Sequence, residues 1–192
     1  MRLFVNKDRP FFKAVSRFAA DEDMLMPRRG TAASAGYDFV VSEDIVIPPY
    51  ELFIGDMVPP AYEFQPMSLT EMAALTKRTG VKPTLVSTGV KCFLPKDMYL
   101  ELSVRSSTPL KHWLIMANST GIIDADYVDN KDNEGEIFFQ VINLLPFPIK
   151  IQKGDVIGQA KFVKFAVTDN DYEIEKDIRE GGFGSTTKPK SK

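Results

Sequence analysis

From Thr84 to Phe165 the chain consists of short apolar segments separated by turn-forming residues. Leu100, Leu102 and Val104 alternate with polar residues, the pattern of a strand with one buried face. The other segments of this series are 85–86, 90–94, 137–145, 149–151 and 159–165. Many short strands at close spacing are typical of an all-β barrel or sandwich. A chain of 192 residues can form one such domain with its own core.

The β pattern is weaker before this series. Residues 1–6 alternate weakly and could form an edge strand, and two further short strands are predicted at 37–41 and 45–47. Between residues 1–6 and the strand at 37–41 lie apolar residues with helical spacing, namely Phe11, Phe12, Val15 and Phe18.

Residues 55–82 differ in composition and pattern from the strand-like sequence around them. Ser68 and Glu71 fit a capping box, good helix formers follow, and Thr79-Gly80 provides a stop signal. We therefore predict a short helix inserted between strands. Two roles stay open for this insert: a packed surface excursion, which is the commoner case, or a lid or partner-binding element.

Charge and composition exclude several classes of function. A net charge of −2 supplies no basic field for nucleic acid, and no apolar run is long enough to span a membrane. The N-terminus lacks the apolar region of a signal peptide, so a cytoplasmic location is expected. Cys92 and His112 are each the sole residue of their type, which excludes an internal disulfide and a Cys/His zinc site.

Four segments carry polar or glycine-rich signals that a plain barrel does not require. In the stretch 118–127, the apolar pair Ile122-Ile123 precedes Asp124, and Tyr127 follows three residues later. Such a carboxylate would be held by packed backbone beside a cleft. The arginine and hydroxyls of 105–107 suit a phosphate. The turn at 154–159 has a side-chain amide at its exit but alone is best explained as a hairpin turn, and the glycines of 179–187 let the backbone approach an anion closely. Taken singly, each also fits a simple turn or a flexible tail.

Taken together and in order, these segments resemble the five motifs of the trimeric dUTP diphosphatases (dUTPases). The resemblance extends from about residue 27 to residue 187, and its most specific motifs are the third and fifth. The five motifs correspond to 34–39 (Ser-Ala-Gly-Tyr-Asp-Phe), 105–107 (Arg-Ser-Ser), 118–127 continuing to 135–137, 154–159 (Gly-Asp-Val-Ile-Gly-Gln) and 181–186 (Gly-Gly-Phe-Gly-Ser-Thr).

The resemblance implies a fold and a reaction. The fold would be a β-barrel or jelly-roll-like β-clip with a short inserted helix. The reaction would be hydrolysis of dUTP to dUMP and pyrophosphate, which keeps uracil out of DNA and supplies dUMP. Asp124 occupies the position of the carboxylate that orients the attacking water, and Mg²⁺ would offset the phosphate charge. Because the family holds this metal mainly through water, Asp38 and Gln159 are plausible outer-shell partners.

The resemblance also assigns substrate contacts. Tyr127 would lie under the deoxyribose, and Asn118 with the backbone of Gly121, Ile122 and Ile123 would pair with uracil. Contacts to the phosphates, and the stacking of Phe183 on uracil, would come from Arg105, Ser106, Ser107, Gln159, Arg179, Phe183, Gly184, Ser185 and Thr186.

Two structural units are expected on the same basis. Residues 1–178 would form the β domain, and 179–192 a flexible arm carrying the fifth motif. In the family this arm closes over a neighbouring subunit, so a homotrimer with shared active sites is implied.

The chain departs from the family pattern at three places. Ser107 replaces a usual glycine, which affects the closeness of phosphate approach. Residues 128–134 lengthen a hairpin that normally turns within a few residues, and we expect this longer tip to leave Asp124 and Tyr127 in place. Arg179 stands one residue closer than usual to the glycine pair, which affects its reach.

Two other functions are compatible with the same residues. The dCTP deaminases have a similar fold, but they lack the glycine-rich tail and use a glutamate at the reaction centre. A regulatory binding module acting through the 55–82 insert is the second, although retention of Asp124, Tyr127, Arg105 and Phe183 argues against loss of catalysis.

Overall fold

The computed structural model describes residues 9–49, 68–80, 82–173, 175–176, 179 and 181–182. These residues form short strands with two short α-helices and two 3-10 turns, so the all-β prediction is confirmed. The strands are β1 (Phe11–Ala14), β2 (Arg28–Arg29), β3 (Tyr37–Val40), β4 (Ile45–Ile47), β5 (Thr84–Ser87), β6 (Val90–Phe93), β7 (Met98–Ser103), β8 (Leu114–Met116), β9 (Gly121–Ile123), β10 (Phe138–Asn143), β11 (Ile149–Ile151) and β12 (Val156–Lys164). The helices are α1 (Leu69–Thr79) and α2 (Ser107–His112).

All named strand pairs are antiparallel and belong to four small sheets. The largest sheet has the order β2-β3-β12-β7-β9, and β12 lies at its centre between β3 and β7. A second sheet has the order β5-β10-β8, while β1 pairs with β6 and β11 pairs with β4. Apart from β2 and β3, the paired strands are not consecutive in the chain, so the strands form one interlocked unit instead of a row of hairpins.

The core lies between these sheets. Its largest fully buried side chains include Phe39, Phe139, Leu100 and Leu102, each at most 1% exposed. Leu100 and Leu102 are the inward residues predicted from the alternation in β7. Burying side chains of this size contributes about 2 kcal/mol each. This core fixes the position of β9, which pairs with the same strand.

The helical spacing near the N-terminus does not produce a helix. Phe11–Ala14 forms β1, and only Ser16–Phe18 turns as a short 3-10 segment. Phe11 stacks on Phe93 with ring centroids 4.6 Å apart, and Phe12 packs against Phe39. Pairing with β6 and these aromatic contacts outweigh a helical preference that is weak for aromatic residues. The predicted edge strand at 1–6 lies outside the described residues.

The inserted helix has the predicted ends. The Ser68 side chain accepts a hydrogen bond from the Glu71 amide and the Glu71 carboxylate accepts one from the Ser68 amide, while Gly80 ends the helix at φ 72°. Residues 50–67, which make up the first part of the insert, lie outside the described residues. Within the described chain, no helix has the length and apolar character needed to cross a membrane.

Candidate active site

The stretch 118–127 places its functional side chains at one end of a strand. A turn leads from Met116 into β9, with the Ser119 amide donating to the Met116 carbonyl at 3.2 Å. In β9, Gly121 pairs with Leu102 and Ile123 with Leu100. Gly121 approaches Leu102 so closely that a Cβ there would lie 3.1 Å from the Leu102 side chain. Asp124 therefore follows a strand anchored on the core.

A cavity of about 220 Å³ opens beside this strand. It is lined by Leu102, Asn118, Gly121, Ile122, Ile123, Asp124, Tyr127, Phe138, Gln140 and Arg179. The structure thus brings together every third-motif residue predicted to contact substrate, and adds Arg179 from the distant C-terminal segment.

Asp124 and Asp126 share one guanidinium. Arg179 Nη2 donates to Asp124 Oδ2 at 2.5 Å, and Arg179 Nε donates to Asp126 Oδ1 at 2.8 Å. Partial burial raises the pKa of Asp124 above its usual value, Arg179 opposes that rise, and Asp126 adds to it. The shorter spacing before the glycine pair does not keep Arg179 from Asp124.

The Tyr127 ring closes one side of the cavity and is 7% exposed. Its hydroxyl donates to the Glu136 carbonyl at 3.0 Å and accepts from Asn133 Nδ2 at 2.7 Å. Arg179 Cζ lies 6.0 Å from the ring centroid. The Tyr127 ring is therefore held at its hydroxyl, and the Arg179 guanidinium lies over its face.

Residues 128–134 do more than lengthen a hairpin. Asn130 is buried, and its Nδ2 donates to the Tyr127 carbonyl and to Asn133 Oδ1, both at 2.8 Å. Asp132 Oδ2 accepts from the Gly182 amide at 3.2 Å, so the loop also contacts the C-terminal segment. The sequence did signal an unusual segment here, but its contacts with Tyr127 depend on folding and were missed.

Lys91 fixes both ends of this loop from a neighbouring strand. Its side chain is only 7% exposed and donates to the Asp129 and Glu134 carboxylates. The hydrogen bond from Lys91, followed by one from the Ser16 amide, lowers the pKa of Glu134 to about 2. Glu134 is therefore ionised at every physiological pH, and the loop remains anchored.

Gly135 ends the loop in a conformation that excludes other residues. Its φ is 79°, and an added Cβ would lie 2.6 Å from Val128 Cα and 2.8 Å from the Tyr127 carbonyl oxygen. We expect Gly135→Ala to lower the free energy of unfolding by about 3 kcal/mol, since it adds a backbone clash to the cost of a left-handed residue. Urea denaturation measures this change.

Gly154→Ala is the matched control. Gly154 has a φ of 91°, but an added Cβ there would meet nothing within 4 Å. Its substitution carries the conformational cost alone, about 1 kcal/mol. Equal losses in the two variants would contradict a steric role for Gly135.

The other predicted site residues form a second cluster. Asp38 in β3 lies opposite Gln159 in β12, which lies opposite Ser103 at the end of β7. Arg105 follows β7, and its Nε is 3.5 Å from Asp38 Oδ1. The motifs at 34–39, 105–107 and 154–159 are therefore adjacent across three strands.

The two clusters are separated within one chain. Asp124 follows Ile123, which pairs with Leu100, whereas Arg105 comes after the opposite end of β7. Continuing this register places Asp124 level with Tyr99, and the offset of six residues to Arg105 corresponds to about 20 Å in an extended strand, well beyond the reach of an arginine side chain. None of Asp38, Arg105 and Gln159 lines the cavity at Asp124.

The second motif leads into a helix that the sequence analysis missed. Ser106 precedes α2 and Ser107 is its first residue, so the residue that stands in place of the usual glycine begins a helix. Phe183, Gly184, Ser185 and Thr186 lie outside the described residues.

The donor set fits only indirect metal binding. Across the described ranges, no group of three or more His, Cys, Asp and Glu side chains could hold a metal ion. Mg²⁺ usually keeps several waters and binds through one or two carboxylates together with substrate phosphates. The carboxylates present are therefore suited to an Mg²⁺ ion coordinated chiefly by nucleotide and water.

Comparison with known proteins identifies the family. A dUTPase family model matches residues 68–187. The deoxyuridine 5'-triphosphate nucleotidohydrolase of Lactococcus lactis is 33% identical over 175 residues, which cover 91% of this chain and 95% of that protein. The chain belongs to the dUTPase family. The corresponding nucleotidohydrolase of Debaryomyces hansenii is 30% identical over an alignment that covers 89% of this chain and 86% of that protein.

Solved dUTPase structures confirm the fold. The Streptococcus mutans dUTPase is 30% identical, with a TM-score of 0.63 over 82% of this chain and 98% of that protein. A dUTPase from phage phi11 of S. aureus, with 17% identity, aligns at a TM-score of 0.57 over 92% of this chain and 100% of its own. A variant of that phage enzyme coordinates a structural Mg(II) ion. It is 16% identical to this chain and aligns at a TM-score of 0.56 over 90% of this chain and 98% of that protein. The β-clip assignment of this dUTPase is thereby confirmed.

Proposed function

We propose that this dUTPase hydrolyses dUTP to dUMP and pyrophosphate by means of a water molecule that Asp124 orients toward the α-phosphorus. The activity as such follows from membership of the family. The observation that carries the residue assignment is the placement of Asp124, Tyr127 and Arg179 around one cavity on β9.

Asp124 suits the task of holding water. One of its carboxylate oxygens is bound by Arg179, which leaves the other as an acceptor for a water proton. Burial raises the pKa of Asp124, and Arg179 opposes that rise and so favours the ionised carboxylate. When a triphosphate enters, the same guanidinium can contact phosphate oxygens and offset their charge.

Selection of the nucleotide follows from the cavity walls. Tyr127 would lie against the deoxyribose and exclude a 2′-hydroxyl, because its ring is held at both the hydroxyl and the backbone. Asn118 and the backbone of Gly121 to Ile123 would pair with uracil. A cytosine amine there would leave buried polar groups unpaired, which disfavours dCTP.

The second cluster would serve the phosphates. Arg105, Ser106, Ser107 and Gln159 offer a guanidinium, two hydroxyls and an amide, and Asp38 lies beside them. Magnesium bound to the triphosphate would neutralise charge on its oxygens. Asp38 and Gln159 would hold its waters, in keeping with the absence of a direct carboxylate cage from the described residues.

We also propose that the protein is a homotrimer with shared sites. The separation of Asp124 from Arg105 by about 20 Å along the sheet supports this, because the two side chains of one chain are too far apart to act on the same phosphate. The arm with Phe183, Gly184, Ser185 and Thr186 would complete the site over bound nucleotide. A cytoplasmic location is the expectation for an enzyme acting on DNA precursors.

A partner-binding role for the insert stays a prediction. Leu69 of α1 is 90% exposed, but most of the insert outside this helix lies beyond the described residues. The relatives described above are nucleotidohydrolases, which does not favour dCTP deamination.

Pyrophosphate release from separate dUTP, UTP and dCTP solutions tests the proposal. We expect rapid release from dUTP with Mg²⁺, a large loss when the metal is chelated, and far slower release from the other two nucleotides. Release from dCTP without release from dUTP would contradict the assignment.

A further inference from the structure

The lengthened loop at 128–134 contacts Tyr127, the residue to which the sugar contact is assigned. Asn133 Nδ2 donates to the Tyr127 hydroxyl at 2.7 Å, and Asn130 Nδ2 donates to the Tyr127 carbonyl at 2.8 Å. The loop thus contacts both the side chain and the backbone of Tyr127. A hairpin that turned within a few residues could not supply either amide.

The direction of each hydrogen bond in this network is fixed. Asn133 Oδ1 accepts from the Gly135 amide at 3.1 Å and from Asn130 Nδ2, so its amino group must face Tyr127. The Tyr127 hydroxyl, which has one proton, gives that proton to the Glu136 carbonyl. Asn133 is therefore required as a donor, and a side chain that only accepts cannot replace it.

Both anchors of the network are held from outside the loop. Lys91 binds Asp129 and Glu134 at its two ends. The Glu136 carboxylate, which is nearly buried, accepts hydrogen bonds from Ser87, the Gly89 amide and Arg17. Because these contacts fix the Glu136 backbone, the acceptor of the Tyr127 proton is fixed as well.

We infer that Asn133 is a positioning residue that sets the tilt of the Tyr127 ring and thereby the preference for deoxyribose over ribose nucleotides. This inference rests on the sugar contact proposed for Tyr127. A ring whose hydroxyl is held by both Asn133 and the Glu136 carbonyl has less freedom to swing aside for a 2′-hydroxyl than a ring held by the Glu136 carbonyl alone. The extra residues of this loop thus contribute directly to substrate selection.

Three variants of the full-length protein test the inference. Asn133→Ala removes the donor, and Asn133→Asp keeps the shape but presents an acceptor to Tyr127. Lys131→Ala is the control, since Lys131 is an exposed residue of the same loop. The measured quantity is the ratio of kcat/KM for dUTP to kcat/KM for UTP.

We expect Asn133→Ala to lower this ratio about tenfold, the effect of one lost buried hydrogen bond. Asn133→Asp should lower it at least as much, and Lys131→Ala should leave it unchanged. In a Tyr127→Phe background, Asn133→Ala should have little further effect, because the hydroxyl through which it acts is gone.

Two outcomes overturn the inference. One is an unchanged ratio in Asn133→Ala, and the other is an equal fall in the Tyr127→Phe background. A shift of the Tyr127 ring-carbon NMR signal in Asn133→Ala, but not in Lys131→Ala, is expected even if activity is low. If the wild-type protein itself fails to prefer dUTP over UTP, the proposed sugar contact fails instead.

Discussion

Replacing Asp124 with asparagine is expected to lower kcat for dUTP by about 100- to 10,000-fold, the range for loss of a positioned acid-base group. The change is isosteric and keeps an oxygen that can accept from Arg179, so the cavity should retain its shape. An amide is a much weaker acceptor for the proton of an attacking water. Binding of a non-hydrolysable dUTP analogue should therefore change far less than kcat.

Asp126→Asn is the matched control. Asp126 lies two residues away and binds the same guanidinium, with Arg179 Nε donating at 2.8 Å, but it does not line the cavity. Its substitution should reduce kcat only slightly. If both variants lost activity equally, charge around Arg179 would matter and the water-orienting role of Asp124 would be wrong.

The pH dependence provides an independent readout of the same carboxylate. Because Asp124 must be ionised to hold the water, kcat/KM should fall as the pH drops through the pKa of Asp124. In the folded protein, burial raises that pKa and Arg179 opposes the rise. Arg179→Met should therefore raise the pKa and move the acid limb to higher pH, in addition to weakening phosphate binding. A limb that does not move would identify another group as the titrating base.

Local patterns predicted several strands and both ends of α1. The alternation around Leu100 and Leu102 predicted β7, and the capping box at Ser68 and Glu71 predicted the start of α1. These features depend on neighbours within a few residues. The prediction of a helix at Phe11 and Phe12 was wrong because the structure of this segment is decided by its pairing with β6, about eighty residues away in the chain.

The candidate site shows the same division. The motif 118–127 predicted that Asp124 and Tyr127 lie close together, since a single turn joins them. The sequence could not show that Asn133 donates to the Tyr127 hydroxyl or that Lys91 anchors the loop. These contacts join residues whose proximity depends on folding of the loop and on strand pairing, and a polar loop gives no sign of its partners.

Mixing two inactive variants is expected to restore activity. If each site combines the Asp124 cluster of one subunit with the Arg105 cluster of another, Asp124→Asn and Arg105→Ala chains in one oligomer create some sites with neither change. Each variant alone should have well below a tenth of wild-type activity, because losing a charged phosphate contact or a base costs at least tenfold. Co-refolded mixtures should recover a substantial fraction of the wild-type rate.

The design distinguishes shared sites from independent ones. A double variant with both changes in the same chain, co-refolded with the wild type, controls for oligomer formation. Asp124→Asn with Asp124→Ala should give no recovery, since both changes damage the same cluster. Within one chain, Arg105 and Asp124 lie about 20 Å apart along the sheet. Without recovery in the Asp124→Asn and Arg105→Ala mixture, the shared-site arrangement would be wrong, and Arg105 would act within its own subunit.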